Sequence, residues 1–547
     1  MVFTFLVGGK AGEGVKKAGS VAASLFVSMG RHAFEMDDYQ SLIRGGHNFS
    51  VVTTATRKVT SHYLQSDVVV CLDERSYSLH KAHVAPKGIL VYNSDTAKGE
   101  GIGIPFTSEA NPYPDPRLIL GVGTVAVLSA VVGQTKEELK TLIENEYPRG
   151  VEHNTAYAAK IYDTARPLVG GTYLLERGDK KRGFLSGNQA IALGACAGGL
   201  DIYVAYPMTP SSSILHYLAA HREELGITVI HPENEIAVIN MAIGAAFAGA
   251  VSMVGTSGGG FALMQEAFSL AGMTETPLLC VLSSRPGPST GVPTYTEQGD
   301  LRFALNQGHG EFPRIVASPG SVEEAFYLTA ELLHIVWKFQ TPGILLTEKH
   351  LSESSMTIDI DCEEAQWVKP VFHTNGEYKR YSDTPDGISP LLFVPSKELI
   401  NWNSYEHDEK GITTENPDLI VKMHEKRKRK GETLVEYLKG MKTVNVYGEG
   451  NPVIFTYGST VMSVLEALHA GNIKATVVQP LYLEPFPVWE VTQYKNTLGI
   501  VIEMSSTGLF ASLLKEKTGI NPEVVIKKYD GRPFDPQDLA DIIKEVL

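Results

Sequence analysis

Apolar and polar positions along this chain recur in one order: a short apolar run, a turn with glycine, then a longer stretch at helical spacing. VFTFLV (2–7) is followed by GGKAGEG (8–14) and then by VKKAGSVAASLFVSMG. A short apolar run bounded by glycine predicts a buried strand, and apolar residues every three or four positions predict a helix, so these stretches form one βα unit. SLIRGGHNFSVVTT (41–54) adds a glycine pair after Arg44 and a strand-like run. DVVVCLD (67–73) and GILVYN (88–93) read as further strands, and GVGTVAVLSAVVG (121–133) reads as an apolar helix. Together they predict a first α/β unit over residues 1–175.

The same alternation returns over 180–365. DIYVAYPMTPSSSILHYLAAHREEL reads as strand, loop and helix, with Ser211–Ser213 as candidate caps. ITVIHP is a strand, ENEIAVINMAIGAAFAGA a helix of small residues, and VSMVGTSGGGFALMQEAFSLAGM a strand, glycine turn and helix. PLLCVLSSRPG and PGILLTEKH supply later strands. Strands alternating with helices predict a parallel sheet covered on both faces. Residues 366–440 lose periodicity and read as an irregular polar connector, with KRKRK (426–430) as a solvated helix face. Residues 441–547 return to α/β.

Composition narrows the class. A chain of 547 residues, 43% hydrophobic and 20% charged, has the makeup of a multidomain globular protein. A net charge of −14 argues against nucleic acid as a partner, because phosphate binding needs a basic surface. The uncharged stretch from Ile236 to Met264 has the length of a membrane span, but Asn240 and GTSGGG divide it into a helix, a strand and a turn. The opening MVFTFLVGG is too short and lacks the basic start of a signal peptide. Cys71, Cys196, Cys280 and Cys362 are dispersed without a CxxC pair, which predicts no metal site here and a reducing, cytoplasmic setting.

Candidate chemistry lies where strands end, because open parallel sheets bind ligands beyond their carboxyl ends. AYPMTP (205–210), HPENE (231–235) and SSRPGPSTG (283–291) fall at such ends, so Thr209, Glu235 and Arg285 are placed to share a crevice. Patterning leaves each with a second reading: Thr209 as a helix cap, Arg285 as half of a surface ion pair, Glu235 as a charge at the rim of a buried helix. The question is sharpest for Glu235, since an ionised carboxylate loses hydration when buried. GGKAGEG offers helix-start N–H groups to an anion but equally reads as a tight turn, and it lacks the full dinucleotide fingerprint.

At these residues the chain resembles 2-oxoacid:ferredoxin oxidoreductases. YPMTPSS, ENEIAVINMAIGAAFAGA, TSGGGF and RPGPSTGVPTYTEQGDL match the alpha subunit in order; GGKAGEGV and RGGHNFSV look like the gamma subunit; YGST, QPLYLEPFP and KYDGRPFDP look like the transketolase-C-like domain. The resemblance implies a fused gamma–alpha subunit, with a thiamine diphosphate pyrimidine-binding domain at 180–365 between a gamma-type domain and a C-terminal transketolase-like one. The family uses thiamine diphosphate to convert a 2-oxoacid and coenzyme A to acyl-CoA and carbon dioxide, passing two electrons through an iron–sulfur cluster to ferredoxin. It implies that Glu235 hydrogen-bonds N1′ of the aminopyrimidine and favours the imino tautomer that deprotonates the thiazolium. It further implies that Thr209 and Arg285 bind substrate, and that Tyr206, Pro207, Ser257 and Gly258 wall the cofactor.

No GDG followed by Asn occurs in the chain, so Mg²⁺, the diphosphate and a [4Fe-4S] cluster are expected on a beta subunit, in an αβ heterodimer or (αβ)₂ heterotetramer. The first unit is expected to contribute to coenzyme A binding. Tyr295 stands where relatives of the 2-oxoglutarate type carry a basic residue, so as a substrate-binding residue it offers one hydroxyl and no charge. The alternatives are another thiamine-dependent enzyme subunit, of transketolase or dehydrogenase type, and a coenzyme A or nucleotide-binding scaffold using GGKAGEG.

Overall fold

The computed structural model describes residues 1–41 and 46–547; Arg44 and Gly45 of the RGGHNFSV stretch lie outside the described residues. Three sheets organise the chain. In the first, Phe3–Lys10 lies between Ser66–Cys71, parallel to it, and His47–Ala55, antiparallel to it. Helix Val15–Ser28 covers this sheet, starting at Gly14, whose φ of 75° suits glycine. Helix Leu120–Val131 packs behind it with every residue buried, as an uninterrupted apolar pattern requires.

The boundary expected near residue 175 does not divide this sheet. Ser355–Ile358 and Gly183–Ser186, from either end of the second unit, add two strands to its edge beside His32–Tyr39. A short unpaired edge exposes backbone donors and acceptors, and these strands satisfy them.

The second sheet has the order Tyr482–Glu484, Ile315–Ala317, Pro342–Glu348, Leu278–Ser284, Ser252–Thr256, Ile202–Ala205, Thr228–Ile230. All its pairs are parallel except the first, where Tyr482–Glu484 from the third unit runs antiparallel to Ile315–Ala317. The third sheet, built from Val444–Tyr447, Thr476–Pro480, Val453–Phe455, Gly499–Glu503 and Val524–Lys527, is parallel apart from its first pair.

Two expectations need correction. The stretch 366–440 ends in a 23-residue helix, Pro417–Lys439, capped by the Asn416 side chain, and its basic run is not a solvated face. Lys426, Arg427 and Lys430 point inward while Lys428 points out, because positions three and four apart share a helix face. Both lysines donate to the fully buried Glu275 carboxylate at 2.7 Å, and Arg427 forks onto Glu406 at 3.0 and 2.6 Å. Nor do the serines of YPMTPSSS cap the helix Ser212–Leu225: Ser211 donates to the Met208 carbonyl at 2.8 Å, and Ser213 accepts from Asn188 at 2.6 Å. Among the described residues no helix is long and apolar enough to cross a membrane.

Candidate functional site

The carboxyl ends of the second sheet carry the predicted groups, and a glycine turn joins them. Strand Ser252–Thr256 ends in Ser257, and helix Gly258–Leu263 starts at once. A Cβ on Gly260 would run into Thr256 Oγ1 and Glu235 Oε1, so the Glu235 carboxylate lies directly against this turn. A Cβ on Gly258 would stand 2.7 Å from Asp300 Oδ2. Only glycine lets both carboxylates approach the same backbone.

Glu235 opens helix Glu235–Phe247, with Asn234 capping it by accepting the Ala237 N–H at 3.0 Å. The cap leaves the Glu235 side chain available, and the positive end of the helix favours an anion there. Glu235 is 5% exposed, and among the described residues no donor reaches its carboxylate. Ser257 Oγ is buried without a partner. A buried hydroxyl and a nearly buried carboxylate, both without a protein partner among the described residues, fit a polar heterocycle that supplies hydrogen bonds.

Beyond the turn is a cavity of about 520 Å³, lined by Met208, Gly258, Gly259, Arg285, Asp300 and Phe303 among others. Arg285 donates to the Thr209 carbonyl at 2.8 Å. That bond uses one of five guanidinium donors. Asp300 accepts from Ser284 at 2.8 Å; burial raises its pKa, while Ser284 and Arg285 oppose the rise. Burial also pulls the Arg285 pKa down, and Asp300 counters. The cavity therefore pairs one cation with one buried carboxyl against apolar walls.

Thr209, Arg285, Ser257, Gly258 and Glu235 are thus gathered at one end of the sheet. Tyr206 stands at the rim, 37% exposed and edge-on to His231 at 5.8 Å, with Pro207 half-buried beside it. Tyr295 is a correction: it does not line this cavity but a separate cleft of about 440 Å³ between the first and third units, where Arg532 stacks on its ring. The reading of the sequence missed Asp300 and Gly260. The third glycine of TSGGGF and the acid of EQGDL were their only signals.

In GGKAGEG, Glu13 accepts the Lys10 N–H at 2.7 Å. Burial raises the pKa of three cysteines, Cys71 to about 12, Cys196 to about 11 and Cys280 further still.

Comparison with known proteins agrees along the whole chain. The family described as "Pyruvate flavodoxin/ferredoxin oxidoreductase, thiamine diP-bdg" matches residues 193–426, and "Pyruvate ferredoxin/flavodoxin oxidoreductase" matches residues 4–164. The alpha subunit of 2-oxoacid:ferredoxin oxidoreductase from Sulfolobus sp. is 30% identical, covering 100% of this chain and 97% of that protein. The alpha subunit of 2-oxoacid:ferredoxin oxidoreductase 1 from Sulfurisphaera tokodaii is also 30% identical, covering 100% and 98%. The structure of 2-oxoglutarate:ferredoxin oxidoreductase from Magnetococcus marinus, with 2-oxoglutarate, coenzyme A and succinyl-CoA bound, superposes with a TM-score of 0.91 at 29% identity, covering 100% of this chain and 99% of that one. With such coverage from end to end, the chain belongs to the 2-oxoacid:ferredoxin oxidoreductase alpha subunits, and it is an oxidoreductase subunit with a thiamine diphosphate-binding domain.

Proposed function

We propose that this chain holds the aminopyrimidine half of thiamine diphosphate and the carboxylate of a 2-oxoacid, in a coenzyme A-dependent enzyme whose other cofactor half belongs to a beta subunit. The reading rests on Glu235, a carboxylate that is nearly buried, aimed by a capped helix and left without a donor among the described residues. Thiamine diphosphate, when bound, supplies the carbon nucleophile and electron sink for cleavage beside the oxo group. Glu235 would accept a hydrogen bond from the pyrimidine ring and hold that proton in a dry, stiff setting that strengthens the bond. Tyr206, Pro207, Ser257 and Gly258 would wall the ring.

Arg285, anchored on Thr209, would turn its remaining N–H groups to the substrate carboxylate, where a planar fork suits a planar anion. The Thr209 hydroxyl would donate to the 2-oxo oxygen. Ile236, Met241 and Leu263, beside the site, are 53%, 47% and 53% exposed. Apolar surface next to a cofactor site suits cover by a second subunit. That partner would carry the Mg²⁺ and diphosphate signature missing here and a [4Fe-4S] cluster delivering electrons to ferredoxin. Coenzyme A, which the Magnetococcus enzyme binds, would take the acyl group. Dispersed, unpaired thiols suit a reducing compartment, and we assign the enzyme to the cytoplasm.

The test is co-expression with a subunit bearing GDG…N and four cysteines, followed by an assay of ferredoxin or viologen reduction. Reduction that needs both subunits, a 2-oxoacid and coenzyme A is the expected result. A pure complex that retains thiamine diphosphate yet reduces neither acceptor with any 2-oxoacid would refute the proposal.

A further inference from the structure

The loop after Arg285 spans two cavities. Its first part, Gly287 to Thr290, lines the 520 Å³ cavity, is exposed, and makes no hydrogen bond to another element among the described residues. A loop with so few bonds takes its position from its ends. One end is Arg285 on the Thr209 carbonyl. The other is stitched to the third unit: Thr296 N–H donates to the Gly531 carbonyl at 3.1 Å and Gln298 N–H to the Met504 carbonyl at 2.7 Å. Gln298 Oε1 accepts from Met504 N–H at 2.8 Å and from Thr460 at 3.0 Å.

Tyr295 lies between these ends, and its ring and hydroxyl are engaged by Arg532. The Arg532 guanidinium stacks 4.0 Å from the centre of its ring and donates to its hydroxyl at 3.1 Å. The same guanidinium pairs through Nε with Asp38 of the first unit at 3.0 Å. Gly531, at φ 80°, brings its backbone against Tyr295, where a Cβ would stand 3.1 Å from the tyrosine Cβ. A planar cation can stack on a ring and fork onto a carboxylate at once, which an ammonium cannot. One side chain thus clasps three units at the far anchor of the loop that lines the substrate cavity.

We infer that Arg532 is a positioning residue for this loop, acting through Tyr295 to set how the 2-oxoacid is held. The inference rests on the proposed function, and it deepens that reading by tying substrate fit to the junction of the first and third units. Misplacing binding groups by a fraction of an ångström costs substrate affinity before it costs chemistry.

Arg532→Ala, Arg532→Lys and Tyr295→Leu are made in the full chain and studied in two ways. In the complex with the partner subunit, Arg532→Ala and Tyr295→Leu should raise KM for the 2-oxoacid at least tenfold with kcat within twofold; Arg532→Lys, which keeps only the pairing with Asp38, should fall between. In the chain alone, amide exchange at Val292, Tyr295, Thr296 and Gln298, the hydrogen-bonded amides of this loop, should quicken at least tenfold in the first two variants. A purely structural role would lower the yield of folded chain without separating KM from kcat. Wild-type KM in both variants, or unchanged exchange across the loop, would overturn the inference. Should the wild-type complex turn over no 2-oxoacid, the proposed function falls, and the exchange measurement still decides whether Arg532 fixes the loop.

Discussion

Arg285 grips Thr209 by its backbone carbonyl, at 2.8 Å, and not by its hydroxyl. The bond spans strand Ser252–Thr256, which lies between the strands that deliver the two residues. It fixes the guanidinium plane while leaving the threonine hydroxyl without a partner among the described residues. Arg285→Lys therefore forces a choice, because an ammonium cannot hold that carbonyl and also fork onto a carboxylate. The expected loss in kcat/KM is at least about tenfold, or about 1.4 kcal/mol, carried mostly by KM. Steady-state kinetics on the complex check it; unchanged KM would remove Arg285 from substrate binding.

Glu235→Gln keeps the shape and removes the charge. Turnover should fall about 10²- to 10⁴-fold, the range for a lost proton-transfer group. Folding should hardly suffer, because among the described residues no donor holds the Glu235 carboxylate and the substitution removes only the cost of keeping a charge nearly buried. The favourable effect of the helix start that is lost amounts to about 0.3–1 kcal/mol. A melting curve of the chain and the reduction assay on the complex separate the two effects, and near-normal turnover would end the role assigned to Glu235.

What the sequence made legible was local. Strands and glycine turns follow from short-range periodicity, and the rule that parallel sheets bind at their carboxyl ends led to Thr209, Glu235 and Arg285 without knowledge of their neighbours. The rest depends on residues far apart in the chain. Arg532 and Tyr295 are separated by 237 positions, so nothing near Tyr295 announced that it leaves the cavity. Lys426 and Lys430 read as surface charge because their partner, Glu275, lies 151 and 155 positions away. Asp300 shows its meaning only where it faces Gly258 and Ser284.

The triad of Glu275, Lys426 and Lys430 has an acid signature. Burial alone would raise the Glu275 pKa, but the two ammonium groups outweigh it and hold the carboxyl well below its ordinary 4.5. A depressed carboxyl stabilises the fold above its unfolded value, and that stability fades as pH falls from 4.5 through the folded value. Glu275→Gln strands two buried cations and should cost about 3–5 kcal/mol at pH 7. Urea unfolding of both proteins between pH 7 and 3 should show the gap closing on the acid side; a constant gap would mean that the triad does not titrate as a unit.

Glu348 has the opposite sign. It ends strand Pro342–Glu348 beside Ser284 and accepts the Ser459 N–H of the third unit at 2.8 Å. Burial pushes its pKa from 4.5 up to about 7, against the opposing pull of Ser459. A raised carboxyl binds its proton more tightly in the folded chain, so its stabilisation is complete below 4.5 and is lost as pH rises through about 7. The span corresponds to about 3 kcal/mol, at 1.36 kcal/mol for each pH unit. Glu348→Gln keeps an acceptor for Ser459 and cannot ionise. It should match the wild type near pH 4.5, exceed it in melting temperature at pH 8.5, and flatten the alkaline side of the stability curve. Equal slopes for the two proteins across that range would show that Glu348 is ionised in the folded chain at both ends, with the joint between the second and third units indifferent to its proton.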